Sequence, residues 1–385
     1  MYLYNCINQR YDTKEDHVLD NPFLNRSKET GGCDRITAVC SVNKMKLAKL
    51  PVYGIDDEIE GLTVKEFFSA KIVSETVKRY AGCLHIELEG VDEKRLPRAL
   101  SEKAMDETDK SGSELAVKII SRFGDRLGLM LLALRLGESE NRAARPDWSD
   151  EHWAYWAQLK DIILVGGLAS GVIGKILRER VNAVFEMKGE QPYNIVLCEN
   201  SSEAAVMGCA SCITESDGVF VVMDFGQTGI KRSCVVKQCG EITEVKTFEP
   251  LPSKYMDWVM PSEEERVRQA SELHKYLSMA LENAYIEAKQ QTHCEPSGEI
   301  MISIASYTSG GVLNSTRGGY AKLCALGPNY AEILSEDLSG RLRRHVTIKL
   351  IHDGTAVALN FKGRENTVCL SVGSYFGVGF PETKI

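Results

Sequence analysis

No stretch of this 385-residue chain approaches the eighteen or more consecutive apolar residues that a membrane-spanning helix needs. The opening segment Met1 to Tyr11 is interrupted by Asn5, Asn8 and Arg10, unlike the apolar core of a secretory leader. No membrane partner is expected, and the cytoplasm is the expected location. An excess of positive charge is also missing: 46 Lys and Arg stand against 54 Asp and Glu, a formal net charge of -8. The basic residues are scattered, so the chain is not prepared to neutralise a nucleic-acid backbone. The short cluster Arg341, Arg343, Arg344 and His345 reads as a basic surface turn leading into a strand from Val346 to Ile351. Zinc spacing is lacking too. Cys209 and Cys212 form a CxxC, but no second CxxC or His pair accompanies it, and it falls in an alanine-rich helix, Glu203 to Cys212. The 12 cysteines are dispersed over a large chain, a pattern of buried thiols rather than of a disulfide framework.

What is present is the composition of a globular protein, 43% hydrophobic and 26% charged. A chain this long exceeds the size at which one core keeps growing, so two domains with a cleft between them are expected. The first 110 residues say least: a strand is expected from Arg35 to Val42, and a helix from Thr63 to Arg79. Asp106 to Ser113 reads as a polar loop, and Glu114 to Leu136 as a long, mostly buried helix. The aromatic group Trp153, Tyr155 and Trp156 precedes a buried strand and reads as core packing rather than a sugar platform. A strand Ile162 to Val165, a helix Val172 to Val184 and a strand Tyr193 to Cys198 follow. Near residue 216 the chain restarts with a hairpin-like run, Val219 to Asp224, Lys231 to Lys237 and Glu244 to Phe248. A charged helix from Ser262 to Gln291 and strands Ile300 to Ala305, Val346 to Ile351 and Thr367 to Val372 complete an α/β pattern.

Four segments carry chemistry. In the run from Val221 to Gly229, an apolar strand delivers Asp224 into the turn Gly226, Gln227, Thr228, Gly229. The glycines let backbone N–H groups approach phosphate, Thr228 adds a hydroxyl, and Asp224 can hold a hydrated Mg²⁺; an ordinary hairpin turn accounts for the same residues. In the run Ile348 to Leu359, Asp353 stands at the carboxyl end of a buried strand before a helix of small residues. That is where a general base would meet a substrate hydroxyl, and also where an aspartate caps a helix. The run Cys369 to Phe380 is a strand, a turn at Gly373, Ser374 and Tyr375, and a strand containing Gly377. It could embrace the β- and γ-phosphates or be a plain hairpin. In the run Ile162 to Gly171, Gly166 and Gly167 between strand and helix let a flat ring lie against backbone.

Together these segments resemble the adenosine, phosphate 1, connect and phosphate 2 motifs of the actin, hexokinase and Hsp70 superfold, and most closely those of the ROK sugar kinases. The family order begins with phosphate 1 and ends with adenosine. Here adenosine comes first, near 166, followed by phosphate 1 near 224, connect near 353 and phosphate 2 near 373, the same cycle opened after phosphate 2. The segment Ser202 to Ala210 is similar to the closing helix of a ROK kinase. The resemblance implies two ribonuclease H-like lobes in circularly permuted order, an adenosine-binding lobe over 1–214 and a phosphate- and substrate-binding lobe over 215–385. It also implies that the two ends, Met1 to Asn8 and Gly379 to Ile385, lie side by side.

By the same resemblance the ligands are ATP and Mg²⁺, and the activity is phosphoryl transfer to a sugar or related hydroxyl compound. Asp353 would be the base and Asp224 the metal ligand. Gly166, Gly167, Asp224, Gly226, Gln227, Thr228, Gly373, Ser374 and Gly377 would surround the nucleotide, and Asn314 and Arg317, with Ser306 and Asn329 nearby, would face the substrate. A homodimer is allowed. The sequence departs from the family at Gln227 and at Tyr375, where small residues are usual, and it lacks the family's zinc signature and its E-x-x-H substrate element. Those departures motivate an alternative, a nucleotide-binding regulator of the same fold without turnover. A ROK-type repressor would need a DNA-binding domain that neither the start of the chain nor its charge supplies.

Overall fold

The structure is a computed structural model that describes residues 20–24, 36–198, 200, 201, 203–257, 261–313 and 318–381. In chain order the helices are α1 (Val64–Phe67), α2 (Ala70–Leu84), α3 (Leu96–Ala104), α4 (Lys110–Leu136), α5 (Ser139–Ala143) and α6 (Asp150–Gln158), then α7 (Gly171–Lys188), α8 (Ala204–Ser211), α9 (Glu263–Thr292), α10 (Tyr330–Leu342) and α11 (Asp353–Leu359). The strands are β1 (Asp161–Val165), β2 (Asn194–Leu197), β3 (Gly218–Phe225), β4 (Gly229–Gln238), β5 (Glu241–Pro252), β6 (Glu299–Ile304), β7 (Thr308–Ser309), β8 (Val312–Leu313), β9 (Thr347–His352), β10 (Thr367–Val372) and β11 (Phe376–Gly379). Among the described residues no helix is long and apolar enough to cross a membrane.

Two sheets organise the chain. The larger has the order β5-β4-β3-β6-β9. Its first three strands form an antiparallel meander, and β6 and β9 run parallel to β3. The central β3 and β6 are buried along almost their whole length, as strands covered on both faces must be, whereas β5 at the edge is mostly exposed. The smaller sheet has the order β11-β10-β1-β2, an antiparallel β10–β11 pair followed by parallel β1 and β2. Both sheets therefore share one plan, a hairpin joined to parallel strands, and each carries helices. These are ribonuclease H-like sheets, and two of them facing a common crevice make an actin-like ATPase architecture.

The hairpin β10–β11 corrects the boundary drawn from the sequence. It was expected to close the 215–385 lobe, but Thr367 to Ser371 pair in parallel with Asp161 to Val165, so it belongs to the smaller sheet. Chain continuity with β9 suggested the wrong sheet, and the tertiary pairing decided otherwise. The smaller sheet is thus built from two segments far apart along the chain, parallel strands first and hairpin last, the reverse of the order within the larger sheet.

The lobes meet through α8 and α11. Helix α8 leaves the smaller sheet and packs against β3 and β6 of the larger one, while α11 leaves the larger sheet and packs against β10 and β11 of the smaller. The two helices cross, and with Ile163, Cys369, Val222 and Met301 they form an apolar core shared by both sheets. The small residues read from the sequence as a closing helix and a connect helix serve this crossing. Cys209 is buried in it.

Two local expectations fail for visible reasons. Beyond Ile36, which makes an isolated antiparallel bridge to Leu24, the described part of the strand expected over Arg35 to Val42 forms 3-10 turns, Ala38–Cys40 and Val42–Lys44. Its carbonyls are not offered to a neighbouring strand: Arg145 donates through Nη2 to the Val39 and Ser41 oxygens at 3.0 and 2.9 Å. The helix expected over Thr63 to Arg79 breaks at Phe68, whose backbone is extended, and restarts as α2 with Ser69 accepting from the Ile72 N–H at 3.3 Å. The break lets the adjacent Phe67 and Phe68 both be buried. The long helix α4 begins earlier than expected because Asp109 accepts from the Gly112 N–H at 3.0 Å and caps it. Trp153, Tyr155 and Trp156 are core residues. The proposed neighbourhood of the two chain ends lies outside the described residues.

Candidate functional site

The site is framed by turns at the carboxyl ends of β1, β3, β9 and β10, where open α/β sheets present their ligands. At the end of β1, Gly166 has φ +107°, and a Cβ there would stand 2.5 Å from the Val372 oxygen. Glycine is needed at 166 for the close passage of β1 and β10, so this residue is a packing glycine and does not line the cavity. Gly167 does line it; a Cβ there would meet nothing within 4 Å. Ser170 and Gly171 follow at the start of α7, where the first N–H groups of the helix have no intrahelical acceptor. The turn after β10 is held from two sides. The Gly373 carbonyl accepts from the Ala70 N–H at 2.8 Å. Asn43 grips Phe376, donating through Nδ2 to its oxygen at 2.7 Å and accepting its N–H at 2.9 Å.

The turn after β3 is closed on itself. The Gly226 N–H donates to the Gly229 oxygen at 3.1 Å, and the Gly226 carbonyl accepts from Ser253 at 2.7 Å and Tyr320 at 3.0 Å. Gly226 therefore plays the hairpin role that the sequence left open, and it lines neither cavity. Gln227 donates through Nε2 to the Ala305 oxygen at 3.1 Å, tying the turn to the end of β6.

Between the lobes lies a cavity of about 890 Å³ lined by Gly167, Ser170, Gly171, Thr228, Gly373 and Ser374 together with residues of α2 and α3. A second, of about 230 Å³, is lined by Gln227, Ser306, Tyr307, His352, Asp353 and Gly377, with Tyr375 at its wall. Thr228, Gly373 and Ser374 line both, so the two spaces adjoin at the glycine turns. The chain thus brings three distant turns and Asp353 to one crevice.

Asp353 is the first residue of α11, and its Oδ1 accepts from the Gly354 N–H at 2.7 Å, so helix-start geometry and exposure to the cavity coexist. About 36% of its side chain is open to the small cavity, while protein surrounds the rest. That desolvation pushes the carboxyl above its ordinary pKa; the nearby Asp224 charge adds to the rise, and His352 and Lys231 oppose it. His352 is buried with Nε2 3.2 Å from Asp353 Oδ1, and its ring stacks on Tyr307 at 4.4 Å between centroids. Burial lowers the His352 pKa and favours the neutral imidazole. The Tyr307 hydroxyl in turn meets Cys40 Sγ at 3.6 Å, and burial pushes that thiol up to about 12.

Asp224 is buried below the turn rather than in the cavity wall. Its Oδ1 accepts from Ser303 at 2.9 Å and its Oδ2 faces Lys231 Nζ at 3.1 Å. Both carboxylate oxygens are thus engaged, one by a hydroxyl and one by an ammonium. Among the described residues no group of three or more His, Cys, Asp or Glu could hold a metal by protein ligands alone. A single carboxylate suits Mg²⁺ that keeps several waters and takes phosphate oxygens.

Asn314 and Arg317, expected to face substrate, lie outside the described residues. Asn329 is a helix cap, its Oδ1 accepting from the Ala331 and Glu332 N–H groups at 3.1 and 3.3 Å. Ser306 does line the small cavity, and its buried Oγ has no hydrogen-bond partner. Sequence reading missed Asn43, Tyr307 and His352. No local pattern marks the first two; His352 stands between Asp353 and the strand expected to end at Ile351, and β9 includes it. Replacing Asn43 by alanine should cost about 1–3 kcal/mol, because two backbone groups of Phe376 lose their partner. Denaturant unfolding of the variant checks this.

No protein-family model matches the chain, and no curated relative matches it. Among solved structures it is similar to an exopolyphosphatase from Cytophaga hutchinsonii, with 14% identity, a TM-score of 0.23, and 43% of this chain and 51% of that one covered. A hexokinase from Schistosoma mansoni complexed with glucose shares 17% identity at a TM-score of 0.27, with 42% and 36% covered. The ethanolamine utilization protein EutJ from Carboxydothermus hydrogenoformans shares 15% at a TM-score of 0.29, with 60% and 73% covered. The match spans about half the length of the exopolyphosphatase and little more than a third of the hexokinase. Likenesses this distant carry no argument, and the fold stands on the strand orders above.

Proposed function

We propose that the chain is an ATP-dependent phosphotransferase acting on a sugar or related hydroxyl compound, with Asp353 as general base. One observation carries the reading: Thr228, Gly373 and Ser374 line both the large cavity and the small cavity that holds Asp353. A nucleotide in the former would present its terminal phosphate where the latter admits an acceptor. In this proposal the lobe built on β1, β2, β10 and β11 binds adenosine and that built on β3 to β9 holds phosphate and substrate. The reversed order of parallel strands and hairpin in the smaller sheet supports a circular permutation of a sugar-kinase plan.

Each residue then has a task. Gly167 and the start of α7 flank the base and ribose, while Thr228, Gly373 and Ser374 offer backbone and hydroxyl donors to phosphate oxygens. Mg²⁺ carried in with the nucleotide would supply charge neutralisation for the transferring phosphoryl group, and Asp224, which lines neither cavity, would hold it through a coordinated water once Lys231 moves aside. Asp353 accepts the proton of the acceptor hydroxyl, for which its raised pKa makes it a stronger base than an exposed carboxylate. His352 and Tyr307 wall the small cavity and exclude water.

A second reading, a nucleotide-binding regulator without turnover, is favoured by the Lys231 ammonium on Asp224 and by Tyr375 at the wall of the acceptor cavity. One experiment separates them. Mg-ATP at a hundred times its Kd should stabilise the protein by about 2.7 kcal/mol on either reading, seen as a thermal shift. Offered a panel of sugars and polyols, the enzyme should release ADP with one of them and form its phosphate ester. Stabilisation without turnover on any acceptor selects the regulator, and no stabilisation overturns both.

A further inference from the structure

Lys94 lies on the 3-10 turn Glu93–Arg95 between α2 and α3, in a stretch where the sequence shows no motif. Its backbone is anchored: the Asp92 carboxylate accepts from the Lys94 N–H at 3.0 Å, and Ser74 donates to the Glu93 oxygen at 3.1 Å. The side chain lines the large cavity and crosses the cleft, where Nζ reaches the Thr228 oxygen at 3.4 Å. A group from the smaller-sheet lobe therefore touches the phosphate turn of the other lobe.

Charge pairing singles this lysine out. Three cations line the large cavity, Lys71, Lys94 and Arg98. Lys71 faces Glu75 at 3.8 Å and Arg98 is bonded to Glu102 at 2.8 Å. Of the two cavity carboxylates, Glu93 is paired with Lys78 at 2.9 Å and Asp92 caps the turn. Among the described residues no carboxylate pairs with Lys94. Among the described residues its side-chain partner is a carbonyl at the long end of hydrogen-bond distance, a poor match for an ammonium beside an open cavity.

We propose that Lys94 is a phosphate-binding residue that recognises nucleoside di- and triphosphates. Its ammonium leaves the Thr228 carbonyl for the non-bridging oxygens of the polyphosphate, a stronger, charge-assisted bond, and so joins the lobes through the ligand. This rests on the reading of the large cavity as a nucleotide site. Isothermal titration of the full chain with ADP, a non-hydrolysable ATP analogue and adenosine tests it. Lys94→Ala should weaken both phosphorylated ligands about tenfold and leave adenosine unchanged, while Lys94→Arg recovers most of the loss. Binding of the analogue should also depend less on salt in Lys94→Ala than in the parent. Unchanged analogue affinity in Lys94→Ala, or an equal loss for adenosine, overturns the assignment. Failure of the parent protein to bind any of the three ligands would instead overturn the nucleotide site itself.

Discussion

Asp353→Asn is expected to lower sugar-dependent ADP release by about 10²- to 10⁴-fold while leaving Mg-ATP binding intact. The substitution keeps an oxygen in place to accept the Gly354 N–H, so α11 still starts where it does and the cavity keeps its shape. What is lost is the carboxylate of the small cavity, the group that takes the proton of the acceptor hydroxyl in the proposed reaction. Equal thermal stabilisation of parent and variant by Mg-ATP, with turnover gone, is the expected pair of results. Turnover that survives the substitution removes Asp353 from the mechanism. The pH profile carries a second signature. A base must be ionised to act, and desolvation raises the pKa of this carboxyl. Activity should therefore fall on acidification at a higher pH than an exposed aspartate would dictate, and the acid limb should vanish with the Asn variant's residual rate.

Gly208→Ala should be among the most damaging single-methyl additions in the molecule. A Cβ at 208 would stand 1.6 Å from the Ala356 oxygen and 2.7 Å from its carbonyl carbon. These are backbone atoms of α11, which cannot rotate aside as a side chain can, so α8 and α11 must part. Overpacking of a close-packed interior costs about 1–3 kcal/mol, and a backbone obstruction belongs at the top of that range or above it. The consequence reaches the site as well, because α11 begins with Asp353 and α8 bears on the other sheet. Activity should fall further than the fraction unfolded accounts for. Gly340→Ala is the control: it lies within α10 with nothing within 4 Å of its Cβ position, and should be neutral or stabilising by about 0.4–1 kcal/mol. Thermal melts of the two variants side by side check the contrast, and near-equal midpoints would refute the account of the crossing.

How much of this was legible in the chain depends on how local each signal is. Asp224, Asp353 and the turns at Gly167 and Gly373 stand out because a strand's apolar run ends abruptly in a carboxylate or a glycine, and that transition is written in a few consecutive residues. The same local rules could not say which glycine lines the crevice. Gly166 and Gly226 looked like their neighbours, yet one is required by the Val372 carbonyl and the other closes a hairpin. Asn43 and Lys94 had no signal, since each matters through a partner 333 and 134 residues away.

Burial periodicity and turn propensity act over a handful of residues, so the chain alone revealed the α/β character, the central strands, the long helices and the residue types available for phosphate chemistry, while the strand expected before Val42 and the unbroken helix expected up to Arg79 did not form. Long-range packing settled that β10 and β11 join β1 rather than β9, that α8 and α11 cross between the sheets, and that the turns open onto one crevice. Parallel pairing and helix crossing are settled by which distant surfaces exclude water together, and no single segment carries that information.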